Sequence, residues 1–103
     1  MRKITEMASR SFEAGENFKQ SNTEVVVDNT GKYMYLFGNL IARQYNGSQN
    51  SLEINLCGYN TNTTRERLNG LWGVNLRTKQ GQLYLNDKEI NSNEWYKIGL
   101  RLG

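Results

Sequence analysis

"TEVVVDNTGKYMYLFGNLIARQY", residues 23–45, decides what kind of fold this chain can adopt. The β-branched run "TEVVVD" (23–28) reads as a strand, "NTG" (29–31) as a turn, and "KYMYLFG" (32–38) as the second arm of a hairpin. "NLIARQY" (39–45) continues the sheet after a turn or bulge at Gly38-Asn39. Asn46-Gly47 follows as the strongest short hairpin signal, because both central positions of a type I′ turn need positive φ. "SLEINLC" (51–57) then alternates, with Leu52, Ile54 and Leu56 inward and Glu53 and Asn55 outward. That is the pattern of an antiparallel strand with one buried face.

The flanks add helices and a second hairpin. Ile4, Met7, Ala8 and Phe12 lie on one face at helical spacing, and Gly15 suits the left-handed residue that ends a helix. "ENFKQSN" (16–22) reads as a connector, with Phe18 plugged into the core. Thr63-Thr64-Arg65-Glu66 fits a capping box, Thr63 at the N-cap and Glu66 three residues on. Leu68, Leu71 and Trp72 would form the apolar face of that helix, which stops near Gly70 or Gly73. "VNLRT" (74–78), a "KQG" turn and "QLYLN" (82–86) make another hairpin. "DKEI" (87–90) leads onward, and "EWYKIGLRL" (94–102) alternates Tyr96, Ile98, Leu100 and Leu102 on one face. The order predicts a single α+β domain over residues 1–103, an antiparallel sheet of hairpins with two short helices. A faint echo between "GKYMYLFGNLI" (31–41) and "GQLYLNDKEI" (81–90), each following a helix, raises the prospect of two α-β-β units.

Composition narrows the chemistry. Histidine is absent and Cys57 is alone. That excludes an intramolecular disulfide, cysteine-rich zinc sites and every nucleophile arrangement built on His. Cys57, at the end of an alternating strand, reads as a small buried thiol. No glycine-rich phosphate loop can be placed, and Glu53, Glu66, Asp87, Glu89 and Glu94 show no paired spacing. The expectation is a protein that is not an enzyme and has neither cofactor nor metal. Net charge is only +3, short of the imbalance usual in nucleic-acid binders. No apolar run approaches the ~18 residues of a membrane span, and "MRKITEMASR" lacks the apolar region of a signal peptide. A cytoplasmic protein without a membrane partner is expected.

Two surfaces are candidates for binding. The first is Tyr59, Asn60, Thr61, Asn62, Thr63, Thr64, Arg65 and Arg67. A helix N-terminus offers free N–H groups to an anion, arginines add bidentate donors, and Tyr59 could stack on a base or fill a partner's pocket. The competing reading is that Asn60, Asn62 and Thr63 make turn and cap hydrogen bonds while the arginines are solvated; a cap alone is worth about 1 kcal/mol. The second is a basic sheet face of Arg77, Lys79, Trp95, Lys97 and Arg101. Cations interleaved with an aromatic would suit single-stranded nucleic acid, and solvent-facing Lys and Arg are also ordinary on sheets.

"FKQSNTEVVV" (18–27), "GNLIARQ" (38–44), "NTNTTRERLNGLWGV" (60–74) and "GQLYLNDKEI" (81–90) resemble the blocks of a widespread family of small bacteriophage proteins, over roughly residues 3–90. Members typically carry Ala-Gly-Trp where this chain has Cys57-Gly58-Tyr59, and Leu-Asn-Gly where it has Leu85-Asn86-Asp87. Neither an indole at 59 nor a glycine at 87 therefore carries over. The resemblance implies a setting, a phage or prophage gene expressed in the host bacterial cytoplasm, and no activity. In that setting the expected function is a non-enzymatic counter-defence inhibitor, anti-CRISPR-like, that occludes a host defence protein. The alternatives are a protein that binds or sequesters a nucleotide or nucleic acid, and a minor virion component. Exposed strand edges leave a homo-oligomer open.

Overall fold

The computed structural model describes residues 2–47 and 52–98. Helix α1 (Lys3–Ala14) precedes β1 (Phe18–Gln20), β2 (Thr23–Val27), β3 (Gly31–Leu36), β4 (Asn39–Tyr45) and β5 (Leu52–Ile54). Helix α2 (Asn62–Asn69) follows, then β6 (Leu76–Lys79), β7 (Gln82–Leu85), β8 (Lys88–Glu89) and β9 (Tyr96–Lys97). Among the described residues these form a six-stranded antiparallel sheet, order β1-β2-β3-β4-β5-β9, and a three-stranded one, order β6-β7-β8. The fold is α+β, as the order of elements predicts.

Register explains the core. Val25, Met34, Ala42 and Ile54 face one another across β2 to β5, and Tyr96 extends the row onto β9. Side chains alternate across a strand, so this row is the buried face, and α1 covers it with Ala8 and Phe12. The next row, Val26, Tyr33, Arg43, Glu53 and Lys97, lies on the opposite, helix-free face. There Arg43 pairs with Glu53 at 2.8 Å and stacks over the Trp95 ring at 3.8 Å.

Several local expectations are corrected. "ENFKQSN" is not a bare connector: Phe18–Gln20 forms the edge strand β1, while Phe18 does pack on the core. The center of the β3–β4 turn is Phe37-Gly38, with φ of 51° and 80°, one residue before Gly38-Asn39. A bulge does occur, at Met34/Tyr35, and it turns both Ile41 and Ala42 inward. Asn46-Gly47 is not a type I′ turn, because Asn46 does not have positive φ and Gln44 pairs with Leu52. Asn46 instead staples the neighbouring β2–β3 turn, its N–H donating to Thr30 O at 2.9 Å and its amide to Asn29 O at 3.0 Å. Residues 48–51 and 99–103 lie outside the described residues, and with them Ser51, Leu100, Arg101 and Leu102. "DKEI" supplies the third strand of the small sheet after a left-handed Asn86-Asp87 turn, φ 50° and 70°. The internal echo is thus local: in each copy a Leu precedes a left-handed turn that joins two antiparallel strands.

α1 is rotated relative to its apolar stripe. Thr5, Ala8, Ser9 and Phe12 are buried, whereas Met7 is 36% exposed. Two contacts with α2 cause this. Gly70 lies so close that an added Cβ would sit 2.7 Å from Thr5 Cγ2. Thr5 also belongs to a buried polar cluster around Arg67, which is only 2% exposed. Arg67 Nε donates to Thr23 Oγ1 at 2.9 Å, and its Nη1 donates to Thr5 Oγ1 at 2.8 Å and Glu66 Oε1 at 2.6 Å. Thr5 Oγ1 in turn donates to Glu66 Oε1 at 2.6 Å. Glu66 Oε2 accepts the Arg2 N–H at 3.0 Å, capping the start of α1 from another helix. One guanidinium therefore ties α1, α2 and β2 together. Gly15 ends α1 in the left-handed conformation, φ 74°, as expected.

Arg67→Ala should cost about 3–5 kcal/mol, the loss typical of breaking a buried pair from one side, read as a lower urea midpoint. Burial pushes the Glu66 carboxyl up, but the Thr5 hydroxyl, the Arg2 N–H and the Arg67 charge together hold it below its ordinary 4.5. Glu66 thus contributes stability above 4.5, and that contribution is lost as pH falls through its folded value. Glu66→Gln should flatten the acid limb of stability against pH.

Candidate functional site

The segment after β5 is shaped by one side chain. Asn55, expected to face outward, is buried instead, because β5 ends at Ile54 and the alternation stops there; its Oδ1 accepts the Cys57 N–H at 2.7 Å. Cys57 and Gly58 are both left-handed, φ 56° and 83°, and the Gly58 N–H is held by Ser92 O at 2.7 Å. This bend buries Leu56 completely and leaves Tyr59 56% exposed. Burial raises the Cys57 thiol pKa, and Sγ donates to Leu40 O at 3.1 Å. A thiol so placed is a poor nucleophile.

The cap of α2 is Thr61, not Thr63. Its hydroxyl accepts the Thr64 N–H at 3.2 Å, and the two hydroxyls are 3.0 Å apart. The expected capping box fails because its acid is used elsewhere: Glu66 reaches across to α1. Trp72 is likewise not on the apolar face, being 60% exposed, whereas Leu68 and Leu71 are buried.

Tyr59, Thr61 and Thr64 converge on a cleft of about 360 Å³ that they share with the β3–β4 hairpin. Its apolar floor is Leu36, Ile41 and Leu56, and Asn39 stands in the wall. Phe37, 71% exposed, lines it together with Tyr59. The other expected site residues go elsewhere. The Arg65 guanidinium is folded back onto the Asn60 carbonyl at 3.1 Å and onto the side-chain oxygens of Asn60 and Asn62. Arg67 is interior, and Thr63 lies beside Arg2, Asn62 and Glu66, outside the cleft. The arrangement has an apolar floor and aromatic rim, while Arg67 is buried and the Arg65 guanidinium is bonded to Asn60 and Asn62. It can bind an apolar or aromatic group; it offers no paired cations for a phosphate.

The basic sheet face does not assemble as expected. Arg77 and Lys79 belong to the three-stranded sheet, where Arg77 bonds Asp87 at 3.1 Å and lies over the Tyr84 ring at 4.9 Å. Trp95 and Lys97 belong with the larger sheet, Trp95 under Arg43 and Lys97 opposite Glu53. Arg101 lies outside the described residues. Among the described residues no three of His, Cys, Asp and Glu come together as metal ligands, and no helix is long and apolar enough to cross a membrane.

The sequence missed the hairpin half of the cleft. Its one signal was Phe37, a large apolar residue directly beside a turn glycine.

With that geometry in place, the lineage is clear: the chain belongs to the family of Kyanoviridae Gp96 proteins, whose family model matches residues 1–102, and so is a phage protein. No curated protein and no solved structure matches it.

The observed cap gives a direct contrast. Thr61→Ala should cost about 1 kcal/mol, and Thr63→Ala less than half of that, in paired chemical denaturation curves.

Proposed function

We propose that this phage protein acts without catalysis, by binding and occluding a host protein in the bacterial cytoplasm through the cleft edged by Tyr59 and Phe37. The observation that carries the reading is the contrast between an apolar-floored cleft with exposed aromatics and arginines turned inward or tied back. Protein interfaces are anchored by aromatic side chains in desolvated centers with a polar rim. A nucleotide site at this helix N-terminus would instead leave its arginines free for phosphate. The phage family membership supplies the setting. A component of a host defence system, such as a CRISPR effector, is the partner that setting favours.

The test is to express the protein in hosts carrying a panel of defence systems and count plaques of a restricted phage. Restoration is expected against one system. Tyr59→Ala should reduce it at least tenfold while changing stability by no more than about 0.5 kcal/mol, as for an exposed residue. Failure against every system would reject the defence assignment. A melting-temperature rise of roughly 4–8 °C with a nucleotide or short DNA or RNA would replace it with ligand binding.

A further inference from the structure

Phe37 occupies a position the fold would fill differently. The first central residue of this turn has φ of 51°, a left-handed conformation that suits Asn, Asp or Gly and is unfavourable for a bulky side chain. At the other left-handed non-glycine positions the side chains are polar, as at Ser21, Gln80, Asn86 and Asp87, or small, as at Cys57; Phe37 alone among those described is large and apolar. Phe37 gains little in return, because 71% of it is exposed. Nothing in the packing of the described residues accounts for an aromatic ring at that site.

Its surroundings give it shape. On one side lies the cleft floored by Leu36, Ile41 and Leu56. On the other lies a second depression that includes Ser21, Asn22, Glu24 and Tyr35, so Phe37 is the crest between two hollows. The backbone beneath the crest is held, since the Phe37 N–H donates to Asn22 O at 2.8 Å and joins the β3–β4 turn to the β1–β2 turn. A large apolar ring carried outward on a held backbone has the form of an interface anchor. Arg65 and Arg67 are bonded internally, and Lys19 and Glu24, of opposite charge, are cross-strand neighbours on β1 and β2.

Resting on the function proposed above, we infer that Phe37 is the anchor of the complex. It inserts into an apolar pocket on the partner protein, and the pocket's lips settle into the two hollows. The residue is then kept against the stability of its own hairpin.

Two measurements test this. Phe37→Asn should raise the melting temperature by about 4 °C, since Asn accepts the turn geometry that Phe resists. A fall would show that the ring serves the fold and would overturn the inference. The second uses the photo-reactive residue p-benzoylphenylalanine at position 37, and at Lys79 as a control, in infected cells. One protein adduct is expected from position 37 and not from 79. Excess wild-type protein should compete it away, and Phe37→Asn should need at least tenfold more. No adduct, an adduct with nucleic acid, an adduct with a second copy, or equal competition by Phe37→Asn would each overturn the inference. An adduct of the expected kind without plaque restoration would keep the anchor and reject the defence assignment.

Discussion

A single guanidinium almost wholly withdrawn from water organises this molecule. Arg67 reaches Thr5 on α1 and Thr23 on β2 from its own position on α2, so both helices are oriented on the sheet by one planar group. An unpaired charge in the interior would be very costly, and here Glu66 and two threonine hydroxyls compensate it. Much that looks unrelated follows from this arrangement. α1 turns a threonine and a serine inward, α2 is capped by Thr61, and Gly70 is pressed against Thr5 and Ser9. Among the described residues no buried side-chain polar atom lacks a partner. The cluster thus confers orientation while leaving no polar atom stranded.

That cluster also marks the limit of what could be read along the chain. The strands between 23 and 45 were legible because alternation and β-branching are local signals, and so was the left-handed Gly15. Arg67 was not. Its partners lie 44 and 62 residues away, and in a sequence an arginine next to a glutamate reads as a solvated helix surface. The capping box failed for the same reason, its glutamate being claimed by a different helix. Asn46 failed because a neighbouring turn offered its amide and N–H better partners than a turn of its own.

The candidate site was half legible. Tyr59, Thr61 and Thr64 sit in the cleft because the stretch from 57 to 64 has to turn a strand into a helix at the sheet's end. The hairpin half comes from a segment some twenty residues earlier, brought there by β3 and β4 pairing, and no spacing rule connects the two. The opposition of binding surface and helix cap was also too sharp. Thr61 is both the N-cap of α2 and a wall of the cleft.

The place of β9 has a consequence for how the chain matures. It pairs with β5, yet α2 and the whole three-stranded sheet are synthesised between them. On the ribosome, the β5 edge of the large sheet is therefore unpaired while more than forty residues emerge. Such an edge is a template for pairing with other chains, and non-local strand pairing is slow to form. The small sheet closes through turns of two residues and can form early. Completion of the large one is the late, topologically distant step, at which a crowded infected cell would impose its greatest hazard on this protein.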